Sequence, residues 1–203
     1  MSKNTVEFKG SDLAALNYIK SKGYASYSSL TMVKNCSEPQ KTSTKYFDIG
    51  TEVHSQFLEK KKALWKTLTP DEREQVKSMV NALNSHPVVS KLMVGAKVEQ
   101  KFDTEVFGLR TVGYIDILLI KDIADLKTTR HKNVYDFAAD MNFLQAALYR
   151  AATGRNDFYY IGIQKQLPFK VFVFNIHQYA TRVKEADLEL KRLIKYVKKK
   201  TGL

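Results

Sequence analysis

The chain has 203 residues, of which 44% are hydrophobic and 27% are charged, a composition typical of an ordinary globular protein. Lys and Arg outnumber Asp and Glu by 33 to 21, giving a net charge of +12. This excess favours a polyanionic partner, because cationic side chains neutralise phosphates and release counterions. A solvated basic surface without a specific partner is the alternative.

Several classes of protein are excluded by what the sequence lacks. Its one cysteine, Cys36, cannot form an internal disulfide, a structural zinc site or an iron–sulfur cluster, and it fits a reducing, cytoplasmic compartment. No apolar run approaches the ~20 residues of a membrane-spanning helix, and the N-terminus has no apolar signal core. The phosphate loop GxxxxGK[ST] is absent, so we expect neither a membrane partner nor ATP.

The first half of the chain is predicted to be helical. Val53 and Phe57 lie four residues apart, as on one face of a helix. Thr69 followed by Pro70 is typical of a helix start, and Pro87 interrupts the helical pattern. The predicted helices cover about 11–21, 28–35, 47–63, 69–84 and 88–93, and residues 1–45 form an N-terminal helical and loop extension.

From Ala96 the pattern changes to the two-residue alternation of strands. The predicted strands begin at Ala96 and continue over 111–120, 123–127, 158–165 and 170–176. A helix is expected over 136–154, and a basic C-terminal helix in 178–203. We therefore predict one α/β (α+β) domain over residues 1–203, with a central mixed sheet of about five strands flanked by helices.

Charged residues inside two of the predicted strands indicate a site. Asp125 and Lys127 lie two apart and share a strand face, with Leu126 turned into the core. Asp116 can reach that face from the neighbouring strand of a tight hairpin. Two carboxylates and an ammonium group suit a divalent metal and a nucleophilic water, as in phosphodiester cleavage. The alternatives are strand-end acids in water, and an ion pair of Lys127 with either aspartate.

Five motifs occur in an order that resembles the PD-(D/E)xK nucleases of the RecB type. More narrowly, they resemble the phage-type exodeoxyribonuclease VIII-like and lambda-exonuclease-like group. The motifs are Gly50-x-x-x-His54, Glu99, Gly113-x-x-Asp116, Asp125-x-Lys127 and Gln145-x-x-x-Tyr149, with a serine cluster at 26–30. The likeness covers roughly residues 24–176 and implies a restriction-endonuclease-like core.

The resemblance also implies roles for individual residues. The implied catalytic residues are Lys127, Asp116, Asp125 and Glu99. The implied ligands of one or two Mg²⁺ or Mn²⁺ ions are His54, Asp116, Asp125 and the backbone carbonyl of Leu126. The implied DNA-binding or site-supporting residues are Gln145, Tyr149, Ser28, Ser29, Thr128 and Thr129. The alternatives are a half-buried helix histidine for His54, a surface strand residue for Glu99, and a solvent-facing helix surface for Gln145 and Tyr149.

The function that the resemblance implies is metal-dependent exonucleolytic digestion of DNA. The expected substrate is an end of linear double-stranded DNA, degraded 5′→3′ to leave 3′ single-stranded overhangs for recombination. The expected partners are further copies of the chain in a ring and a single-strand annealing recombinase, in the cytoplasm of a bacterial or phage-infected cell. The alternatives are an endonuclease or single-strand nuclease on the same core, and a non-catalytic DNA-binding module.

Overall fold

A computed structural model describes residues 12–36, 45–61 and 68–203. The parts of the predicted N-terminal extension at 1–11 and 37–44, and the end of the predicted helix at 62–63, lie outside the described residues. Among the helices that are described, none is long and apolar enough to cross a membrane.

Among the described residues five helices precede the sheet, and the second, fourth and fifth of them start with a polar side-chain cap. At the second helix the hydroxyl of Ser26 accepts from the N–H of Ser29, while the Ser29 hydroxyl accepts from the N–H of Ser26. Thr69 and Glu72 form the same reciprocal cap at the fourth, which begins with Pro70 as predicted. The helices are α1 (Leu13–Lys22), α2 (Tyr27–Asn35), α3 (Lys45–Phe57), α4 (Pro70–Ser85) and α5 (Pro87–Met93).

The second half of the chain builds a mixed sheet of five strands in sequential order, which confirms the predicted fold class. The strands are β1 (Lys97–Val106), β2 (Leu109–Leu118), β3 (Asp122–Thr129), β4 (Asp157–Gln164) and β5 (Val171–Asn175). Neighbouring strands are antiparallel except β3 and β4, which are parallel. The parallel pair requires a crossover, which α6 (Val134–Asp140) and α7 (Phe143–Thr153) provide. A short 3-10 helix (Ile176–Tyr179) and α8 (Ala180–Thr201) follow the sheet.

Two apolar clusters pack against the sheet. Successive strand residues contribute to different clusters, as the alternation of side chains requires: Ile123 joins one and Ala124 the other. The first cluster contains residues of α1, α2, α6, α7 and α8, and the second contains residues of α3, α4 and α5. The sheet is therefore covered by helices on both faces.

The predicted continuous helix over 136–154 is wrong, because the chain breaks between α6 and α7. Asn142 starts α7 by accepting the N–H of Leu144 at 3.0 Å. Arg182 of α8 donates to the carbonyls of Ala138, at 2.7 Å, and Met141, at 2.9 Å. These bonds occupy carbonyls that a broken helix leaves without helical partners.

The predicted helix over 47–63 is also shorter than expected, since α3 ends at Phe57. Lys60 has a left-handed backbone with φ of 52°, which ends helical geometry. The N–H of Lys61 donates to the carbonyl of Ser55 at 3.3 Å and closes this C-terminal turn.

The ladder between β2 and β3 contains only two residue pairs, Ile117 with Ala124 and Leu118 with Ile123. Beyond them the two strands separate. The freed edge of β2 pairs with Ala25. The N–H of Ala25 donates to the carbonyl of Arg110, and the carbonyl of Ala25 accepts the N–H of Val112, both at 2.9 Å. The start of α2 is thereby held beside the opening between the strands.

Candidate active site

The opening between β2 and β3 begins at Asp116 and Asp125, the two aspartates of the predicted site. Continuing the ladder by one residue would pair Asp116 with Asp125. Instead, the Asp116 side chain turns to β3, and its Oδ2 accepts the backbone N–H of Leu126 at 2.8 Å. A carboxylate thus replaces a backbone acceptor of the ladder, which fixes its orientation.

Three side chains from three elements form a group that can hold a metal ion. His54 comes from α3, Glu99 from β1 and Asp116 from β2, and one ligand atom of each lies within 4.8 Å of the others. His54 Nδ1 is 3.7 Å from Asp116 Oδ2. All three are partly exposed. One imidazole nitrogen and two carboxylate oxygens are suitable ligands for a small divalent cation, so the residues present fit such an ion.

Asp125 and Lys127 form a second group beside the first. Lys127 Nζ lies 2.7 Å from Asp125 Oδ2, and Gln145 Nε2 donates to Asp125 Oδ1 at 2.8 Å. Asp125 is 1% exposed, whereas the Lys127 side chain is 37% exposed. The ion pair named as an alternative for Lys127 is therefore present, and its ammonium group still reaches solvent.

Burial controls the protonation of the two aspartates. It raises the pKa of Asp116 from 3.8 to about 6, and it raises that of Asp125 to about 6 as well, although Lys127 opposes both shifts. At neutral pH both are mainly ionised, so two buried negative charges face one ammonium group. A divalent cation would relieve this imbalance.

The two basic groups shift in opposite directions. Burial lowers the pKa of His54, which keeps its imidazole neutral and able to donate a lone pair at neutral pH. Burial also acts to lower the pKa of Lys127, but the charges of Asp125 and Asp116 outweigh it, and the net pKa is raised. Lys127 therefore remains a cation.

Close packing of α3 on β3 sets the position of His54. A Cβ atom on Gly50 would lie only 3.1 Å from Thr128 Oγ1. The missing side chain lets the helix approach the strand, and His54 follows one turn later on the same side. This contact gives a physical reason for the Gly50-x-x-x-His54 spacing.

The predicted carbonyl of Leu126 is at the centre of the site. The N–H of Leu126 donates to Asp116, and a hydrogen bond between His54 and the Leu126 backbone acts to raise the pKa of His54. A backbone group that favours the protonated imidazole must be the carbonyl, which accepts from the ring. The two backbone polar groups of Leu126 thus face Asp116 and His54, two of the three candidate metal ligands.

Gln145 and Tyr149 are each 7% exposed, so the alternative of a solvent-facing helix surface is wrong. A hydrogen bond joins their side chains, and burial raises the pKa of Tyr149 to about 12. Gln145 holds Asp125 directly, while Tyr149 is neutral and supports Gln145. Both belong to the packing around the carboxylate.

The remaining predicted residues lie at varying distances from this centre. Ser28 is exposed on α2, while Ser29 is buried and its hydroxyl belongs to the helix cap. Thr128 contacts Gly50 and is partly exposed. Thr129 is buried, and its hydroxyl accepts the N–H of His131 at 3.1 Å.

Two tyrosines near Asp125 were not among the predicted residues. Burial raises the pKa of Tyr27, and the charges of Lys127 and Asp125 also act on it, so it lies within electrostatic reach of both. Tyr160 is fully buried opposite Asp125 in the β3–β4 register, and its hydroxyl donates to the carbonyl of Asn142 at 2.8 Å. Knowledge of the parallel β3–β4 register would have placed Tyr160 beside Asp125, but no sequence motif indicates that register.

A family model and one solved structure agree with this architecture. Residues 7–201 match a family described as a PDDEXK-like domain of unknown function (DUF3799). The crystal structure of a proposed exonuclease from Eubacterium rectale is similar, with a TM-score of 0.62 and 15% identity over 97% of this chain and 87% of that chain. An alkaline exonuclease from Laribacter hongkongensis gives a TM-score of 0.41 and 15% identity over 89% of this chain and 94% of that chain. No curated protein matches the sequence.

Proposed function

Because the chain belongs to the PDDEXK-like domain family DUF3799, we propose that it is a metal-dependent nuclease that hydrolyses phosphodiester bonds in DNA. Membership in this family confirms the resemblance to the PD-(D/E)xK superfamily. One observation carries the proposal: His54, Glu99 and Asp116 converge within 4.8 Å, beside a lysine held by a buried aspartate.

In this proposal His54, Glu99 and Asp116 hold a divalent cation, Mg²⁺ or Mn²⁺. Of these three, His54 and Asp116 were predicted as ligands and Glu99 as a catalytic residue. Asp125 and the Leu126 carbonyl, the other predicted ligands, belong to the neighbouring strand β3. When bound, such a cation supplies a more acidic water and positive charge at the phosphate. The neutral His54 and the oriented carboxylate of Asp116 prepare the site for it.

Lys127 acts as a cation in this proposal rather than as a base. Its pKa is raised, so it retains its proton at neutral pH and can stabilise negative charge that develops on the phosphate. Asp125 fixes the ammonium group at 2.7 Å, and Gln145 fixes Asp125. The position of Lys127 is thus set by a chain of buried polar contacts.

The proposed substrate is an end of linear double-stranded DNA, degraded 5′→3′ to leave 3′ overhangs for recombination. The net charge of +12 supports a DNA substrate, because basic groups neutralise phosphates. The polarity, a ring of several copies and a single-strand annealing partner are supported by the narrower resemblance of the five motifs.

The first test is digestion of linear and closed circular duplex DNA with Mg²⁺, Mn²⁺ or EDTA, by the wild type and by Asp125→Ala. We expect metal-dependent loss of the linear form only, and none with the variant. End labelling then determines polarity: early release of a 5′ label supports the proposal, and early release of a 3′ label contradicts it.

The alternatives correspond to other outcomes of the same assay. Cutting of the circle would indicate an endonuclease, and preferential digestion of single strands would indicate a single-strand nuclease. Binding of DNA without metal-dependent loss of any form would indicate a non-catalytic module. Asp125→Ala cutting at the wild-type rate would contradict the site assignment.

A further inference from the structure

A cleft of about 800 Å³ opens beside the candidate site. Helices α3 and α4 line one side of it, through Ile49 and Gln75. The C-terminal ends of β3 and β4, and the residues that follow them, line the other side, through Thr128, Arg130 and Lys165. Its volume lies within the ~300–1,000 Å³ that is common for ligand sites.

The cleft is continuous with the elements that carry the candidate active site. Thr128 lines it and directly follows Lys127 on β3, while Ile49 lines it and lies on α3, the helix that carries His54. A DNA strand with one phosphate beside Lys127 therefore has a path along β3 into the cleft. The next group of that strand to meet the protein there is another phosphate.

Arg130 gives the cleft a cation that can bind an anion. Arg130 is exposed and makes no ion pair with any residue of 12–36, 45–61 or 68–203. The two acidic residues of the lining already have partners: Asp140 pairs with His131, which also lines the cleft, and Glu72 accepts the N–H of Thr69 at 2.8 Å in the cap of α4. Arg130 is thus a cation of the lining that neither of these two acids pairs with.

The backbone at Lys165 is held in place from two directions. Its N–H donates to the carbonyl of Thr129 at 2.7 Å, and its own carbonyl accepts from the side chain of Gln75. Lys165 is half-buried, and burial lowers its pKa. A partly desolvated ammonium group on a fixed backbone gains more from an incoming phosphate than a fully solvated one.

We propose that this cleft is a second phosphate-binding subsite, which holds a phosphate of the DNA strand being cut through Arg130 and Lys165. The inference rests on the proposed nuclease function and names the part of the substrate that the cleft takes. It assigns to these two residues binding of substrate and no part in the chemical step.

The test uses Arg130→Gln and Lys165→Gln, with Lys184→Gln as the matched control, because Lys184 is an exposed lysine of α8 in the other helical layer. Binding of an oligonucleotide is measured in EDTA, with one neutral methylphosphonate linkage placed at each position in turn. A second pair of oligonucleotides carries either a 5′-phosphate or a 5′-hydroxyl, which separates a terminal phosphate from an internal one.

We expect each cleft variant to raise Kd by roughly 10- to 100-fold, as for the loss of one charge-assisted hydrogen bond. The slope of log Kd against log salt should fall by ~0.7–0.9 per lost cation. At one position the methylphosphonate should weaken binding by the wild type and by Lys184→Gln, but not by the cleft variants. Thermal unfolding verifies that each variant is folded.

Variants with the wild-type Kd and the wild-type methylphosphonate profile would overturn the inference. This result is distinct from failure of the proposed function, which would appear as no DNA digestion by the wild type. In the cutting assay, a cleft variant should raise KM and leave kcat nearly unchanged, and a fall in kcat alone would also contradict a binding subsite.

Discussion

Glu99 lies opposite Asp116, between the registered pairs Val98 with Ile117 and Gln100 with Ile115, and its backbone is left-handed with φ of 49°. For a residue with a Cβ atom, this conformation costs about 1–2 kcal/mol. It occurs where Glu99 joins His54 and Asp116 in the candidate metal site. We interpret it as local strain that serves ligand placement.

Glu99→Gly removes both the backbone strain and the carboxylate, and two measurements separate the effects of these losses. Without metal, we expect the free energy of unfolding to stay unchanged or to rise by up to about 1 kcal/mol, since glycine adopts positive φ without a steric cost. The affinity for Mn²⁺ should fall, because a carboxylate ligand is lost. Calorimetric unfolding in EDTA and titration with Mn²⁺ measure the two effects.

The control for that substitution is Glu105→Gly on the same strand, where the residue is exposed and is not among those with positive φ. There glycine should lower the free energy of unfolding by about 0.5–1 kcal/mol and leave Mn²⁺ affinity unchanged. If both variants lose the same stability, Glu99 is not strained.

The raised pKa of Asp116 predicts how stability depends on pH without metal. Between its ordinary value of 3.8 and about 6, the folded state holds a proton that the unfolded chain has lost. The contribution of Asp116 to the free energy of unfolding is therefore full below 3.8 and falls as pH rises through about 6. Asp125, whose pKa is also about 6, acts in the same direction.

Asp116→Asn isolates this contribution, because an amide oxygen can still accept the N–H of Leu126. In EDTA, the stability difference between variant and wild type should change in favour of the variant between pH 4 and pH 7. At pH 7, Mn²⁺ at 100 times its Kd should stabilise the wild type by about 2.7 kcal/mol. A difference that is constant with pH would mean that Asp116 has an ordinary pKa.

Gln145 positions Asp125, and its replacement tests whether that bond matters for cutting. Gln145→Leu removes the 2.8 Å hydrogen bond to a buried carboxylate and leaves the ligand atoms in place. We expect kcat to fall by roughly 10- to 100-fold, as when an outer partner of a metal site is lost. The pKa of Asp125 should rise further, so the acidic limb of the pH–rate profile should move to higher pH.

Gln178→Leu is the matched control, since Gln178 is an exposed glutamine of the 3-10 helix. It should change neither kcat nor the pH–rate profile. A Gln145→Leu variant with a lower melting temperature but an unshifted profile would show that Gln145 stabilises the fold without acting on Asp125.

The parts of the fold that depend on local pattern were predictable. The alternation around Asp125 and Lys127 placed both on one strand face, and Thr69 before Pro70 located the start of α4. The break at Asn142 was not predictable, because the apolar pattern continues through it. The carbonyls freed at this break are bound by Arg182, which lies on α8 and is distant in sequence.

The candidate site likewise has a part that was predictable from the sequence and a part that was not. Its motif residues could be named from the sequence, but their division into the candidate metal site and an Asp125–Lys127 pair depends on the opening between β2 and β3. That opening is stabilised by Ala25 from outside the sheet and by the Asp116 side chain. Neither contact leaves a periodic pattern in the sequence.

The contact between Gly50 and Thr128 predicts coupling between a helix and the metal site. Gly50→Ala should raise helix propensity by about 1 kcal/mol, yet its Cβ would lie 3.1 Å from Thr128 Oγ1. Because Thr128 lies on a central strand, we expect α3 to shift slightly outward and to carry His54 with it. We expect weaker Mn²⁺ binding with little gain in stability.

Thr128→Ala is the control for this prediction, and alone it should leave Mn²⁺ affinity near the wild-type value. The double variant should recover most of the lost affinity, because the hydroxyl that obstructs the new methyl group is gone. Effects that add in a double-mutant cycle would show that the helix does not transmit the clash to His54.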